Sequence, residues 1–227
     1  MTERIRTENA MKNINSKLNL LSSITRHDIL NQVTSLSGII FLLQKVMPDD
    51  PKIRKYLGLL KEISDTIQEQ VTFTRDYQDL GVNCPAWQRI KPLFEKVKAN
   101  CPVIDIKLAI DTGHLEIFAD PMLERVFFNL IDNAARHGQH VTKMSVTFHE
   151  KDGEGIVVVQ DNGAGIPGNI KKDVFEKGFG NNTGLGLFLT KEILGITGIS
   201  IEETGAKGQG AKFLLHIPAG GWRICKE

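Results

Sequence analysis

The chain has 227 residues, 41% of them hydrophobic, enough to bury a sizeable core and to fill one large domain or two small ones. Lys and Arg number 28 against 27 Asp and Glu, so composition gives no electrostatic footing for nucleic acid or for an anionic membrane. The three cysteines, Cys84, Cys101 and Cys225, are an odd set without metal-ligand spacing and fit reduced thiols better than a disulfide framework.

The longest uninterrupted apolar run, Ile39 to Leu43, is far below the roughly 20 residues a spanning helix needs. Residues 1–17 are polar and lack the apolar stretch of a leader peptide, so a soluble chain with no membrane segment of its own is expected.

From Ile14 through Leu18, Leu21, Thr25, Ile29, Val33, Leu36, Ile40 and Leu43 to Met47, seam positions recur at steps of three and four, the heptad pattern of one long helix. Three successive steps of four surround Thr25 and Ile29. Such a stutter locally unwinds a supercoil, and it coincides with His27. The two prolines of Pro48-Asp49-Asp50-Pro51 must end the helix. A second stripe follows at Ile53, Leu57, Leu60, Ser64, Ile67, Val71 and Thr74. Two long helices with so short a connection read as an antiparallel hairpin over residues 14–80, with residues 1–13 extending its first helix. A single hairpin has too little surface to bury both stripes. Pairing of two copies into a four-helix bundle is therefore expected, with packing on the rest of the chain as the plainer alternative.

After a linker at 81–86 the periodicity changes. Residues 86–100 read as helix, while 103–110, 115–119, 143–149 and 155–160 alternate or run apolar with β-branched residues, as strands do. Asp120-Pro121 opens another helix in N-cap then N1 order, running to His137. Residues 199–218 read as two strands about a glycine-rich turn, and 219–227 as a tail. The half from 87 to 218 is expected to be an α+β two-layer sandwich with helices on one face of a mixed sheet.

Three stretches of that half carry chemistry. Gly184 and Gly186 at a helix start expose backbone N–H groups to an anion and let it approach, although many glycine pairs merely make turns. Asp161 ends a buried strand just before Gly163 and Gly165, where its carboxylate could meet a flat ligand; an Asx turn is the bland reading. Asn129 and Asn133 lie four apart on one helix face, and the Asn133 amide oxygen suits a magnesium ion that keeps most of its water.

In this order, within these predicted elements, the three stretches resemble the GHKL ATPase superfamily, whose fold is such a sandwich. With the upstream hairpin, the chain over about residues 15–218 resembles a two-component sensor histidine kinase core. The resemblance implies ATP and Mg2+ as cofactors. Asn133 is the implied magnesium ligand, with Asn129 its upstream partner, Arg136 a phosphate contact and His137 a ring beside the nucleotide. Asp161 is implied to read the adenine amino group, with Gly163, Gly165 and Ile166 forming the wall beneath the base. Phe175 and Phe179 match the aromatic box of the mobile lid. Gly184, Leu185, Gly186 and Leu187 match the turn that holds the phosphates, and Gly208 and Gly210 the last glycine box. The segment between Gly165 and Gly184 is short for a kinase lid. Its lysines, Lys171, Lys172 and Lys177, are either phosphate contacts or, more plainly, solvated loop residues.

Branches of the superfamily that hydrolyse ATP use a glutamate near the start of the first motif helix. Here that face carries Asn129, which cannot act as a base at neutral pH. The γ-phosphoryl group then needs another acceptor, and His27 is the candidate: an imidazole with a pKa of roughly 6.5 is a good nucleophile near neutrality. His27 lies about 200° round the helix from Thr25 and from Ile29, which turns it off the seam. A lone surface histidine is ordinarily inert, and it is the resemblance that singles this one out. In His27-Asp28-Ile29-Leu30-Asn31, Asp28 can engage one ring nitrogen, and Asn31 resembles the residue that positions water for a phosphatase activity on the regulator. Arg26 is either an aid to phosphate charge or a surface ion-pair partner. Gln32 stands where the family has a proline, which leaves the stutter to supply any bend.

The function implied is ATP-dependent autophosphorylation of His27 and transfer to an aspartate of a response regulator receiver domain. The implied partners are a second copy of the chain and that regulator. The implied location is the cytoplasm, as a whole protein or as the cytoplasmic part of a longer membrane-anchored or multidomain sensor. A serine kinase of the anti-sigma type and an ATP-independent phosphotransfer scaffold are the alternatives.

Overall fold

A computed structural model describes residues 2–47, 50–101, 106–179 and 183–225, with side chains omitted for 2–21, Ser23 and Ile24. The expected seam residues Ile14, Leu18 and Leu21 therefore have only their backbone described, and part of the expected strand at 103–110 and of the turn at Pro48-Asp49 lies outside the described residues. The chain divides into two compact units, up to Gln78 and from Asp79 onward.

The first unit holds helix α1 (Thr2–Val46) and helix α2 (Pro51–Asp79). They run antiparallel: Ser22 is hydrogen-bonded by Gln78 near one end, and Ser37 and Ser64 share a hydrogen bond of 2.8 Å in the middle. Seam residues Val33, Ile40, Leu57 and Ser64 are buried between the helices. Leu36, Met47 and Leu60 of the same two stripes are exposed, together with Ile39, Phe41, Leu42, Leu59 and Ile63. Each helix therefore buries one flank of its apolar surface and leaves the other open.

Composition also makes Thr25–Val46 a helix long and apolar enough to cross a membrane, with only 11% of its apolar window buried. The expectation of no such segment rested on unbroken apolar runs, and these 22 residues pass by averaging. A bundle helix meets the same test when its hairpin partner covers only one flank of its apolar surface.

The second unit begins with strand β1 (Ala86–Arg89), which starts the segment expected to be helical. Trp87 and its neighbours pair with β3 instead of entering helix α3 (Ile90–Ala99). Strands β2 (Lys107–Asp111), β3 (Leu115–Ala119), β4 (Lys143–Lys151), β5 (Glu154–Asp161), β6 (Ser200–Glu203), β7 (Lys212–Ile217) and β8 (Trp222–Ile224) complete two sheets. The larger runs β2-β4-β5-β7-β6, parallel only between β2 and β4. The smaller, antiparallel β1-β3-β8, was not foreseen. Within the segment expected as a tail, 219–227, Trp222–Ile224 supply its edge, with Leu115 opposite Ile224 and Ile117 opposite Trp222. Glu116 ties that sheet together, since Arg89 and Arg223 from the flanking strands both bond its carboxylate, and Arg223 also stacks 4.1 Å from the Trp87 ring.

Helix α4 (Leu123–His137) starts later than expected and without a side-chain cap, because the Asp120 carboxylate accepts the Met122 N–H and makes Asp120-Pro121 a turn ahead of the helix. Helix α5 spans Gly186–Gly195. The core lies between these helices, α3 and the large sheet, with Phe94 and Phe127 stacked at 3.9 Å and Leu123, Leu130, Leu189, Ile193 and Leu194 fully buried. Along β5, Gly155, Val157, Val159 and Asp161 are the buried alternates. The period of two thus puts a carboxylate at the end of the row of core-facing residues.

Candidate nucleotide site and the exposed histidine

A cavity of about 410 Å³ opens above that carboxylate. Its walls come from α4 (Asn133, Ala134, His137) and Gly138 just after it, the loop after β5 (Gly165, Ile166, Pro167), two short turns (Ile170, Val174) and Phe179. Leu187 of α5, Ala211 and Phe213 close it. Of the residues singled out in the sequence, Asn133, His137, Asp161, Gly165, Ile166, Phe179 and Leu187 meet here.

Asp161 is 6% exposed, and its Oδ1 accepts the N–H of Gly163 at 2.7 Å and of Ala211 at 3.1 Å. Both bonds fall on one oxygen, which leaves Oδ2 for a ligand donor. Burial pushes the carboxyl above its ordinary pKa, with the nearby Glu203 carboxylate pushing the same way and the two N–H groups opposing. The glycines are steric requirements: a Cβ on Gly210 would lie 1.9 Å from the Asp161 carbonyl oxygen, and one on Gly163 2.3 Å from that of Gly138. The Gly208 N–H bonds Ala164 O at 2.7 Å, so the last glycine turn props the loop beneath the cavity.

The other sequence-chosen residues act at one remove. Asn129 is buried, and its amide donates to Gly186 O at 2.9 Å and to Thr190 Oγ1 at 3.2 Å, clamping α4 to the start of α5. Gly184 has φ +58°, and a Cβ there would strike the Phe179 backbone, so the turn through Leu185 into α5 needs glycine. Phe175 is buried edge-on to Phe213 at 6.3 Å and braces the wall from behind. Arg136 donates to Asp132 at 2.9 Å along its own helix.

Lys171 is not the solvated loop residue of the plainer reading: it is partly buried, forms an ion pair of 2.8 Å with the fully buried Glu203 side chain and bonds Gly205 O. Sequence gave no sign of that pair, because its members are 32 residues apart and meet only through the sheet. The lining residues missed, Ala134, Gly138, Pro167, Ile170, Val174, Ala211 and Phe213, include two that stand one helical position after Asn133 and His137. Helical spacing could have found those two.

In the other unit His27 is 74% exposed on α1, off the buried flank as expected. Its Nδ1 faces Asp28 Oδ1 at 3.5 Å and Asn31 Nδ2 at 3.3 Å, so both neighbours address one ring nitrogen and Nε2 stays open. Arg26 was expected as a phosphate aid or an ion-pair partner. It bonds Ser22 at 2.9 Å and Gln78 of α2 instead, fastening the turn before His27 to the end of the second helix.

Helices over one face of a mixed sheet, with a cavity above an Asp-x-Gly-x-Gly corner, define a GHKL-type ATP-binding domain. Residues 119–221 match the family described as histidine kinase-, DNA gyrase B-, and HSP90-like ATPase. The sensor protein SrrB of Staphylococcus aureus is 24% identical over 213 residues, an alignment covering 85% of this chain and 36% of that protein. The chain thus spans about a third of the length of the curated relatives it matches. Full-length ShkA in complex with AMPPNP shares the fold at a TM-score of 0.63 and 21% identity, over 91% of this chain and 46% of that one. The histidine kinase ThkA in complex with the response regulator protein TrrA does so at 0.57 and 20%, over 90% and 62%. Over most of its length the chain is thus similar to sensor histidine kinases, and the match to the ATPase family lies within its second unit.

Proposed function

We propose that this core autophosphorylates His27 with ATP and passes the phosphoryl group to an aspartate of a response regulator receiver domain. The observation that carries it is the cavity over Asp161, whose Oδ2 stands ready to accept from an adenine amino group while glycine backbone forms the wall. Asn133, on the cavity wall, would hold a magnesium ion, and His137 would flank the nucleotide. The turn from Gly184 to Leu187 would supply N–H groups for phosphate oxygens. Arg136, held by Asp132, would have to leave that bond to reach a phosphate. Magnesium would neutralise charge on the β- and γ-phosphates.

His27 Nε2 attacks the γ-phosphorus as the bond to the bridging oxygen breaks and ADP leaves; the ring then carries a proton on Nδ1, beside Asp28. Asn129 spends its amide on Gly186 and Thr190, so the face where the hydrolysing relatives carry glutamate offers no base for water. Asn31, one turn from His27, would position water when the regulator's phosphate is hydrolysed.

The open apolar flank of the hairpin supports pairing with a second copy, and the regulator complex of ThkA supports the partner class. The cytoplasm, where ATP is available, is the proposed location. The test is incubation with γ-labelled ATP and Mg2+. Acid-labile label that disappears with His27→Ala is expected. Acid-stable label, as a serine kinase would give, or label that survives the substitution, overturns the proposal.

A further inference from the structure

The lid side of the cavity is held by one feature the nucleotide reading does not use. Between the wall residues Ile170 and Val174 sits Lys171, with a side chain only 22% exposed, while Lys172 and Lys177 of the same segment are exposed. Its Nζ lies 2.8 Å from Glu203 Oε2 and bonds Gly205 O. Glu203 is fully buried at the end of β6, and its Oε1 accepts the N–H of Gly205 at 2.9 Å and of Lys212 at 3.1 Å. The turn so fixed is the one that supports the cavity floor: Ala206 O and Gly210 O stand 2.7 and 2.9 Å from where a Cβ on Gly165 would be. With the Glu203 carboxylate buried and held by these additional bonds, losing Lys171 strands its charge.

We propose that Lys171 and Glu203 are a positioning pair that anchors the lid at the base end of the cavity, so that Lys171 acts on nucleotide affinity through the base and not through the phosphates. The inference rests on the adenine-nucleotide reading of the site. With the anchor in place, Ile170 and Val174 already form a wall before ligand arrives. Without it, the wall-forming state is one of several, and apparent affinity falls by the fraction of molecules that retain it.

Two measurements on Lys171→Met test this. In nucleotide-free protein, hydrogen exchange of the amides of Ile170 and Glu176, which bond Pro167 O and Asp173 O, should quicken while the α4 amides keep their protection. By calorimetry, affinity for adenosine, ADP and ATP should fall by the same factor, about tenfold if the anchored state drops to about a tenth of molecules. Lys171→Arg should restore most of the affinity. Lys171→Met with Glu203→Gln should recover thermal stability, because no charge is stranded, yet keep the quick exchange.

A loss confined to ATP and ADP, with adenosine unaffected, would make Lys171 a phosphate contact and overturn the proposal; unchanged exchange at Ile170 and Glu176 would overturn it as well. Wild-type protein that binds none of the three ligands removes the adenine reading, while the exchange comparison still decides whether the anchor exists.

Discussion

The two units of this chain bury their apolar residues to very different degrees. In the second, Phe94, Phe127, Leu130, Leu189, Ile193 and Leu215 are almost wholly out of water, and the sheet and helices close on each other. Among the described residues of the hairpin the buried hydrophobic ones are Val33, Ile40 and Leu57, while Ile39, Phe41, Leu42, Leu59 and Ile63 remain more than two-fifths exposed. A sandwich can satisfy its own apolar faces, since sheet and helix are complementary layers. Two helices can only cover one flank of each other. The nucleotide domain is accordingly built to be stable alone, and the hairpin to be completed by something else.

The largest expected effect lies in the closed unit. Phe127→Ala removes a ring stacked at 3.9 Å on Phe94 and should cost about 3–5 kcal/mol of unfolding free energy in denaturant titration. A cost below about 1 kcal/mol would show the sandwich core to be looser than its burial implies. Next comes Ile63→Asp on the open flank of α2, which should convert the proposed two-chain assembly to single chains in sedimentation. Unchanged mass would mean that this flank is not where copies meet. Smaller again is Ser64→Ala, which strands Ser37 inside the hairpin and should lower its stability by about 1 kcal/mol; an effect near zero would mean that packing alone sets the register.

The smallest effect is a pH dependence on the outer face of the sheet. Burial alone would pull the His216 imidazole down, but Glu154 at 3.2 Å and Glu202 at 3.1 Å reverse that and leave its pKa above 6.5. A raised folded-state pKa means that the contribution is complete below 6.5 and is lost as pH rises through the folded value. Thermal melts across that range should therefore lose up to about 1 kcal/mol, and His216→Gln should flatten the trend.

Much of this was legible in the residues, for identifiable reasons. Heptad steps of three and four depend on local helix geometry, so the hairpin could be read, as could His27 off its seam. The alternation of β5 likewise put Asp161 at the end of a buried row. Legibility failed where pairing partners lie far apart in sequence. Ala86–Arg89 has helix-compatible residues and became a strand because β3 offered an edge. Residues 222–224 look like a tail until the other side of that strand is seen to need a neighbour.

The same division runs through the site. Residue type and spacing, with the resemblance they carry, selected Asn133, Asp161, the glycines and His27, because a nucleotide corner needs bare backbone, one carboxylate and a helix start, each of which is local in sequence. Only the tertiary structure turned Asn129 into a clamp on α5, Arg26 into a tie to α2 and Lys171 into the partner of a buried Glu203. Long, flexible side chains can reach many groups, and which one they reach is decided by what the fold brings within about 3 Å.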